Sequence, residues 1–250
     1  MVNFTKNYGT ALVTGAAGFI GYHISRDLLK NGWKVIGLDS FNDYYDISLK
    51  KDREKMLLKN KNYHSIHEKI EKSEFLFSLF EKEKPDVVIH LAAQAGVRYS
   101  IENARAYLES NIIGTFELLE ASKAFKPKHI LIASTSSAYG SSIEMPFKET
   151  NKSDYQLSFY AASKKSTENI AHSYSHLFKL PITIFRFFTV YGPWGRPDMA
   201  YYNFTDKITK GLPIDVYNEG NMKRDFTYID DISNAIFLLI SAIPNRFGKK

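Results

Sequence analysis

The apolar run Thr10 to Thr14 passes straight into the turn Thr14-Gly15-Ala16-Ala17-Gly18-Phe19-Ile20-Gly21, and a helix-patterned segment to Lys30 follows. No other feature constrains the fold as tightly. Glycines spaced G-x-x-G-x-x-G at a strand-to-helix junction let backbone amides and a helix N-terminus approach a pyrophosphate closely. The helix is expected to close at Asn31-Gly32, and Lys34 to Asp39 to form the second strand. An acid at that strand's end, Asp39, can accept both hydroxyls of an adenosine ribose and repels a 2′-phosphate, so NAD is expected over NADP. A glycine turn or a strand-end acid alone is more simply a turn feature. Strand, turn, helix and acid in this order point to a dinucleotide.

Similar units recur along the chain. After a charged helical region, Pro85-Asp86 leads into the strand Val87-Val88-Ile89-His90-Leu91. Helix is expected around Ala104 to Lys126, strand at His129 to Ser134, helix at Tyr160 to Phe178 and strand at Ile182 to Phe188. Alternating β and α segments argue an α/β fold, a doubly wound parallel sheet of Rossmann-like type. A chain of 250 residues can form one such domain with a small lobe. The alternation breaks at Gly192 to Lys223, which is rich in Pro, Gly, Tyr and Asn. This stretch is expected to form a lobe over the sheet's carboxyl edge, where open α/β sheets bind ligands. The expected division is a dinucleotide-binding domain at 1–191, then a substrate-lobe segment with a returning helix at 192–250.

Composition removes several function classes. Without cysteine there are no disulfides, thiol catalysis or Cys-ligated zinc. The net charge of +6 suits an anionic partner without identifying one. Much of the excess lies in Lys50 to Lys84, where lysines alternate with Glu and apolar positions; this reads as solvated helix surface. No zinc-finger, RNP or basic-helix pattern occurs, so no nucleic-acid partner is expected. His64, His67, His172 and His176 form no metal set, and His172 and His176 lack the glutamate of a zinc-protease helix. His90 reads as a core residue, and Asp230 and Asp231 as acids opening a helix. No charged-then-apolar leader starts at Met1 and no apolar run is long enough to cross a bilayer, so a cytoplasmic protein with no membrane partner is expected.

Chemistry enters with Tyr160-Ala161-Ala162-Ser163-Lys164. Helix positions four apart share a face. Lys164 is therefore expected to hold its ammonium near the Tyr160 hydroxyl, where a cation favours the phenolate. A tyrosine lowered in this way can take a proton from a sugar hydroxyl near neutral pH. In isolation the spacing equally fits core and solvent positions of an amphipathic helix.

With the glycine turn, the strand end Leu91-Ala92-Ala93, Asn111 in a helix, a Ser/Thr cluster and Tyr-x-x-x-Lys in this order, the chain resembles the extended short-chain dehydrogenase/reductase family. Its members include nucleotide-sugar epimerases and dehydratases, and the match runs from about Thr10 to the last helix. Within that family, Arg186-Phe187-Phe188-Thr189-Val190-Tyr191-Gly192-Pro193, Gly195-Arg196-Pro197-Asp198-Met199-Ala200 and Lys223-Arg224-Asp225-Phe226 resemble the UDP-glucuronate 4-epimerases. The resemblance implies NAD bound by Gly15, Gly18, Phe19, Ile20, Gly21, Asp39, Leu91, Ala92, Ala93, Asn111, Tyr160 and Lys164. It implies catalysis by Tyr160, Lys164 and Thr135, no metal, and a homodimer built from helices flanking the sheet. The implied UDP-sugar contacts are Arg98, Thr135, Ser136, Ser137, Thr189, Arg196 and Arg224.

In Ser134-Thr135-Ser136-Ser137, Thr135 matches the hydroxyl that holds the reacting sugar oxygen. Related dTDP-glucose dehydratases carry Asp-Glu after this threonine, and UDP-glucuronate decarboxylases typically place Glu where Ser137 stands. Hydroxyls at both positions imply oxidation and return of the hydride, hence inversion at C4 of UDP-glucuronate to UDP-galacturonate. Ser136, Ser137 and Thr189 match positions that contact the uronate carboxylate. Arg196 suits carboxylate or phosphate oxygens, Arg224 matches a diphosphate contact, and Arg98 is a further candidate for the same pocket.

Two features depart from the family pattern. Lys69-Ile70 stands where members carry Asp-Ile, the acid being the adenine amino contact, so weaker NAD binding is expected. Members also continue for several dozen residues beyond the helix ending near Ile240, so the lobe is expected to be incomplete at Lys250. Two alternatives stay open: epimerisation of UDP-glucose or UDP-N-acetylglucosamine, and an NAD-binding module without turnover.

Overall fold

Four consecutive buried residues follow Thr10 in β1 (Thr10–Thr14). A run with no polar alternation belongs inside a parallel sheet covered on both faces. The computed structural model describes residues 9–245; Met1 and the end at Lys250, on which two expectations turned, lie outside them. In it β1 pairs in parallel with β2 (Lys34–Asp39) and β4 (Val87–His90). Beyond them lie β3 (Tyr63–His67), β5 (His129–Thr135) and β6 (Ile182–Phe187), giving the order β3-β2-β1-β4-β5-β6, every pair parallel. The chain winds outward from β1 to β3, then returns to β4 and winds outward to β6. This reversal between β1 and β4 opens a crevice at the carboxyl ends of the strands.

The helices are α1 (Phe19–Lys30), α2 (Ile47–Leu57), α3 (Phe75–Glu83), α4 (Tyr99–Glu102), α5 (Ala104–Tyr107), α6 (Gly114–Phe125), α7 (Phe159–Phe178), α8 (Ala200–Thr209) and α9 (Ile229–Leu239). Successive strand residues point to opposite faces. Ala11, Val13, Val35, Ile89 and Leu131 accordingly share a core with Leu28 of α1 and Ile236 of α9. Leu12, Ile36, Val88, Ile130 and Ile132 share another with Phe80, Leu118 and Ala171 of α3, α6 and α7. α9 is tied to α1 by Ser233 Oγ, which donates to Asp27 Oδ2 at 2.7 Å, and by Arg26, 3.2 Å from Asp230.

Three local readings change. The region before Pro85 holds strand β3 between α2 and α3. As an edge strand with only Tyr63 buried, β3 carries little apolar signal. The helix expected over Ala104 to Lys126 is interrupted by a π-helical stretch at Leu108–Ile113. Third, α2 is not a solvated charged helix: Lys50, Arg53, Glu54 and Leu57 form a buried stripe at helical spacing.

In the lobe, β7 (Thr189–Tyr191) pairs in parallel with β8 (Phe226–Tyr228), and α8 lies between them in sequence with no buried residue. No helix among the described residues is long and apolar enough to cross a membrane.

Candidate active site

The glycine turn is a close-packed corner. Gly15 has φ +72°, and a Cβ there would stand 2.9 Å from the Ala92 nitrogen. A Cβ on Gly21 would meet the Gly15 carbonyl oxygen at 2.1 Å. Gly15 N donates to Leu38 O at 2.7 Å and Gly18 N to Gly15 O at 3.0 Å, which hold the corner against β2. The first amides of α1 have no partner within the helix. Gly15, Gly18, Phe19, Ile20 and Gly21 all line a groove at the carboxyl edge.

At one end of the groove Asp39 is 8% exposed. Its carboxylate accepts from Ala17 N at 3.1 Å, Phe41 N at 2.9 Å and Lys50 Nζ at 3.4 Å. Lys50 also donates to Asn42 Oδ1 at 2.8 Å. Burial pushes the Lys50 ammonium below its ordinary value, and the Asp39 charge opposes this. Glu68, Ile70 and Glu71 line this end too. Lys69 does not line it; its ammonium lies 4.0 Å from Glu71.

Leu91, Ala92 and Ala93 form the floor. Asn111 lies behind this floor, outside the groove lining. Its amide accepts from Gln94 N at 2.8 Å and donates to Gln94 O at 3.1 Å and Ser163 Oγ at 2.9 Å, bracing the β4 end against α7. His90 is buried between Thr14 Oγ1 at 2.8 Å and Thr115 Oγ1 at 3.0 Å.

At the other end Thr135, Tyr160 and Lys164 come together. Thr135 ends β5, and α7 begins on Ser158, whose Oγ accepts from Ala161 N at 3.1 Å. Tyr160 and Lys164 follow one turn apart. Burial pushes the Tyr160 phenol up, against a hydrogen bond with Thr135 and the charge of Arg196, which pull it down. On the phenol, desolvation outweighs both, and Lys164 lines the groove with it one turn further along α7. Lys164 is itself pushed down to about 8 by burial, with Glu168 opposing. Glu168 continues the same helix face. It accepts from Ser134 Oγ at 2.6 Å and from Arg186 Nε and Nη2, each at 2.8 Å.

Arg196 also lines the groove, with its Nε 3.0 Å from Asp198 Oδ1. Ser136, Ser137 and Thr189 are half-buried and outside the lining. Arg98 and Arg224 are exposed and do not reach the groove; Arg224 donates to Lys223 O at 2.7 Å. Sequence reading passed over Lys50, Arg53 and Glu168. Their available signal was spacing, since Lys50 and Arg53 share a stripe with Leu57, and Glu168 stands four after Lys164.

The donors fit NAD. A cradle that a Cβ would fill, a helix N-terminus and a strand-end carboxylate lie along one groove. Residues 11–247 match the model of the NAD dependent epimerase/dehydratase family. The chain belongs to this family. It is 50% identical to a probable UDP-glucuronate 4-epimerase of Rhizobium meliloti over 235 residues, covering 94% of this chain and 69% of that protein. It is 54% identical to the CapI protein of Staphylococcus aureus over 237 residues, covering 94% and 71%. The crystal structure of the Bacillus cereus UDP-glucuronic acid 4-epimerase, in complex with UDP-glucuronic acid and NAD, superposes with a TM-score of 0.90 at 38% identity, covering 96% of this chain and 75% of that one. NAD is therefore the cofactor of this chain, as Asp39 and the glycine turn suggested.

Proposed function

We propose that this chain inverts C4 of UDP-glucuronate to give UDP-galacturonate through a 4-keto intermediate. One observation carries the reading: Thr135, Tyr160 and Lys164 share one groove with the dinucleotide turn, and the two residues after Thr135 are serines. Tyr160 takes the proton of the C4 hydroxyl and later returns one, and Thr135 orients that oxygen. Lys164, desolvated one turn away, would hold the nicotinamide ribose of a bound NAD and favours the phenolate when charged. When bound, NAD supplies the hydride acceptor and donor and is not consumed. Turning the keto sugar about its diphosphate link presents its other face.

A uronate C4 ketone lies β to the C6 carboxylate, so the intermediate is prone to lose carbon dioxide. Ser136, Ser137 and Thr189, outside the lining but next to Thr135 and Val190 which belong to it, are the hydroxyls assigned to holding the carboxylate away from cleavage geometry, and Arg196, in the lining, to clamping anionic oxygens. The similarity to enzymes named for UDP-glucuronate supports this substrate. The division is a cofactor-binding part at 1–191, whose last strand β7 pairs into the lobe, and a sugar-lobe segment with the returning helix α9 at 192–250. Ile113, Phe116 and Phe159, exposed beside the packed helices α6 and α7, support a dimer formed through these helices.

The test incubates the purified protein, with bound NAD confirmed, with UDP-glucuronate and separately with UDP-glucose, and separates the epimers. UDP-galacturonate is expected from the first, and Tyr160→Phe should remove it. No UDP-galacturonate from NAD-loaded protein sinks the substrate, and full activity of Tyr160→Phe sinks the mechanism.

A further inference from the structure

Arg53 has no exposed surface, and among the described residues no carboxylate pairs with it. Its guanidinium is spent on neutral oxygens. Nη1 donates to Ala17 O at 3.0 Å and Tyr45 Oη at 2.9 Å. Nη2 donates to Trp194 O at 2.7 Å and Gly195 O at 3.4 Å, while Nε has no partner. A buried charge without a counter-ion is costly, and an apolar side chain would fill the space without that cost. The fork does what no apolar side chain can: it joins three segments distant in sequence. These are the glycine turn, the start of α2, and the loop immediately before Arg196.

Other contacts lie along the same seam. Tyr22 of α1 sets its ring 6.0 Å from that of Trp194. Tyr44 Oη donates to Asp198 Oδ2, the partner of Arg196, at 3.2 Å. Arg196 in turn lines the groove together with Tyr160. From Ala17, between the glycines, to the proton-transfer end of the groove, Arg53 is the hydrogen-bonded link.

We propose that Arg53 is a positioning residue that couples the glycine turn to the Trp194–Arg196 segment, so that a dinucleotide seated on the turn sets Arg196 in place beside Tyr160. The proposal rests on the reading of the groove as a UDP-sugar epimerase site. Lysine cannot replace it, because three donors on a single nitrogen cannot span carbonyls on both sides of the seam.

The experiment measures amide hydrogen exchange with NAD alone, without sugar, for the wild type, Arg53→Lys and Arg53→Ala. NAD is expected to slow exchange in both 15–21 and 192–199 of the wild type, but only in 15–21 of the variants. Millimolar methylguanidine should restore the second effect in Arg53→Ala and leave Arg53→Lys unchanged. KM for UDP-glucuronate should rise about tenfold in the variants, with kcat within about threefold. Wild-type protection of 15–21 without 192–199 overturns the coupling whether or not the variants fold. Protection of 192–199 that persists in folded variants also overturns it. Failure to epimerise UDP-glucuronate with coupled exchange intact removes the substrate reading and leaves the coupling standing. If NAD protects neither segment, the dinucleotide reading and the coupling fall together.

Discussion

Replacing Glu168 by glutamine changes one oxygen for one NH₂ group in a buried network. The wild-type carboxylate is 9% exposed at its side chain and lies 2.8 Å from Arg186. It accepts from Ser134 and twice from Arg186, and Lys165 Nζ stands at 3.2 Å. Burial is the largest single influence on this carboxyl and raises it, but the Arg186 and Ser134 hydrogen bonds and the charges of Arg186 and Lys165 together pull it below its ordinary 4.5. In Glu168→Gln one acceptor survives, and a donor NH₂ faces either the guanidinium or Ser134. Leaving the Arg186 charge unpaired in a buried setting costs about 3–5 kcal/mol. At roughly 2–4 °C per kcal/mol for a chain of this size, Tm should fall on the order of 10 °C at pH 7. The sign with pH follows from the lowered carboxyl. Its contribution is fully present above the unfolded value and is lost as pH falls through the folded one. The deficit of the variant should therefore shrink below about pH 4. Scanning calorimetry of both proteins at pH 7 and pH 3.5 checks this. A variant within about 2 °C of wild type at pH 7, or equally impaired at both pH values, refutes the argument.

Further outcomes follow from the same geometry. Gly21→Ala places a methyl against the backbone of Gly15, which cannot swing away; NAD affinity measured by titration calorimetry should fall about fivefold to a hundredfold, and unchanged affinity would disprove the close packing. His90 is held down to about 3 from its ordinary 6.5, chiefly by burial with the Lys164 charge adding to it, so the unfolded chain takes up the proton first. Stability is then lost as pH drops below 6.5, by up to about 1.4 kcal/mol per unit, and urea midpoints of wild type and His90→Gln should converge toward pH 4. With Lys164 at about 8, kcat/KM should decline on the alkaline side as that ammonium loses its proton. In Glu168→Gln the decline should start at lower pH, because the opposing charge is gone; a profile flat to pH 9.5 in wild type rules this out.

Much of the fold was legible because its signals are local. Strand β1 announces itself by an unbroken apolar run, the turn by glycines no other residue could replace, and α1 by its Asn31-Gly32 end. The glycine turn, Asp39, Thr135, Tyr160 and Lys164 could be placed on one sheet edge because parallel winding brings every carboxyl end there. Edge strand β3 and the π-helical stretch around Asn111 were not legible, since the first carries little apolar pattern and the second answers to side chains packed from elsewhere. Charge was the least legible property. A lysine or arginine on a helix reads as solvated until the opposing surface is known. Only the tertiary structure shows that Lys50 meets Asp39 and that Arg53 meets a loop 141 residues away. It alone brings Arg196 of the lobe into the groove that Tyr160 and Lys164 line. Backbone pattern, then, decided the sheet and the position of the groove. Which charges are desolvated, and by whom they are answered, was decided by packing between segments far apart in the chain, because desolvation depends on what surrounds a group and not on its sequence neighbours.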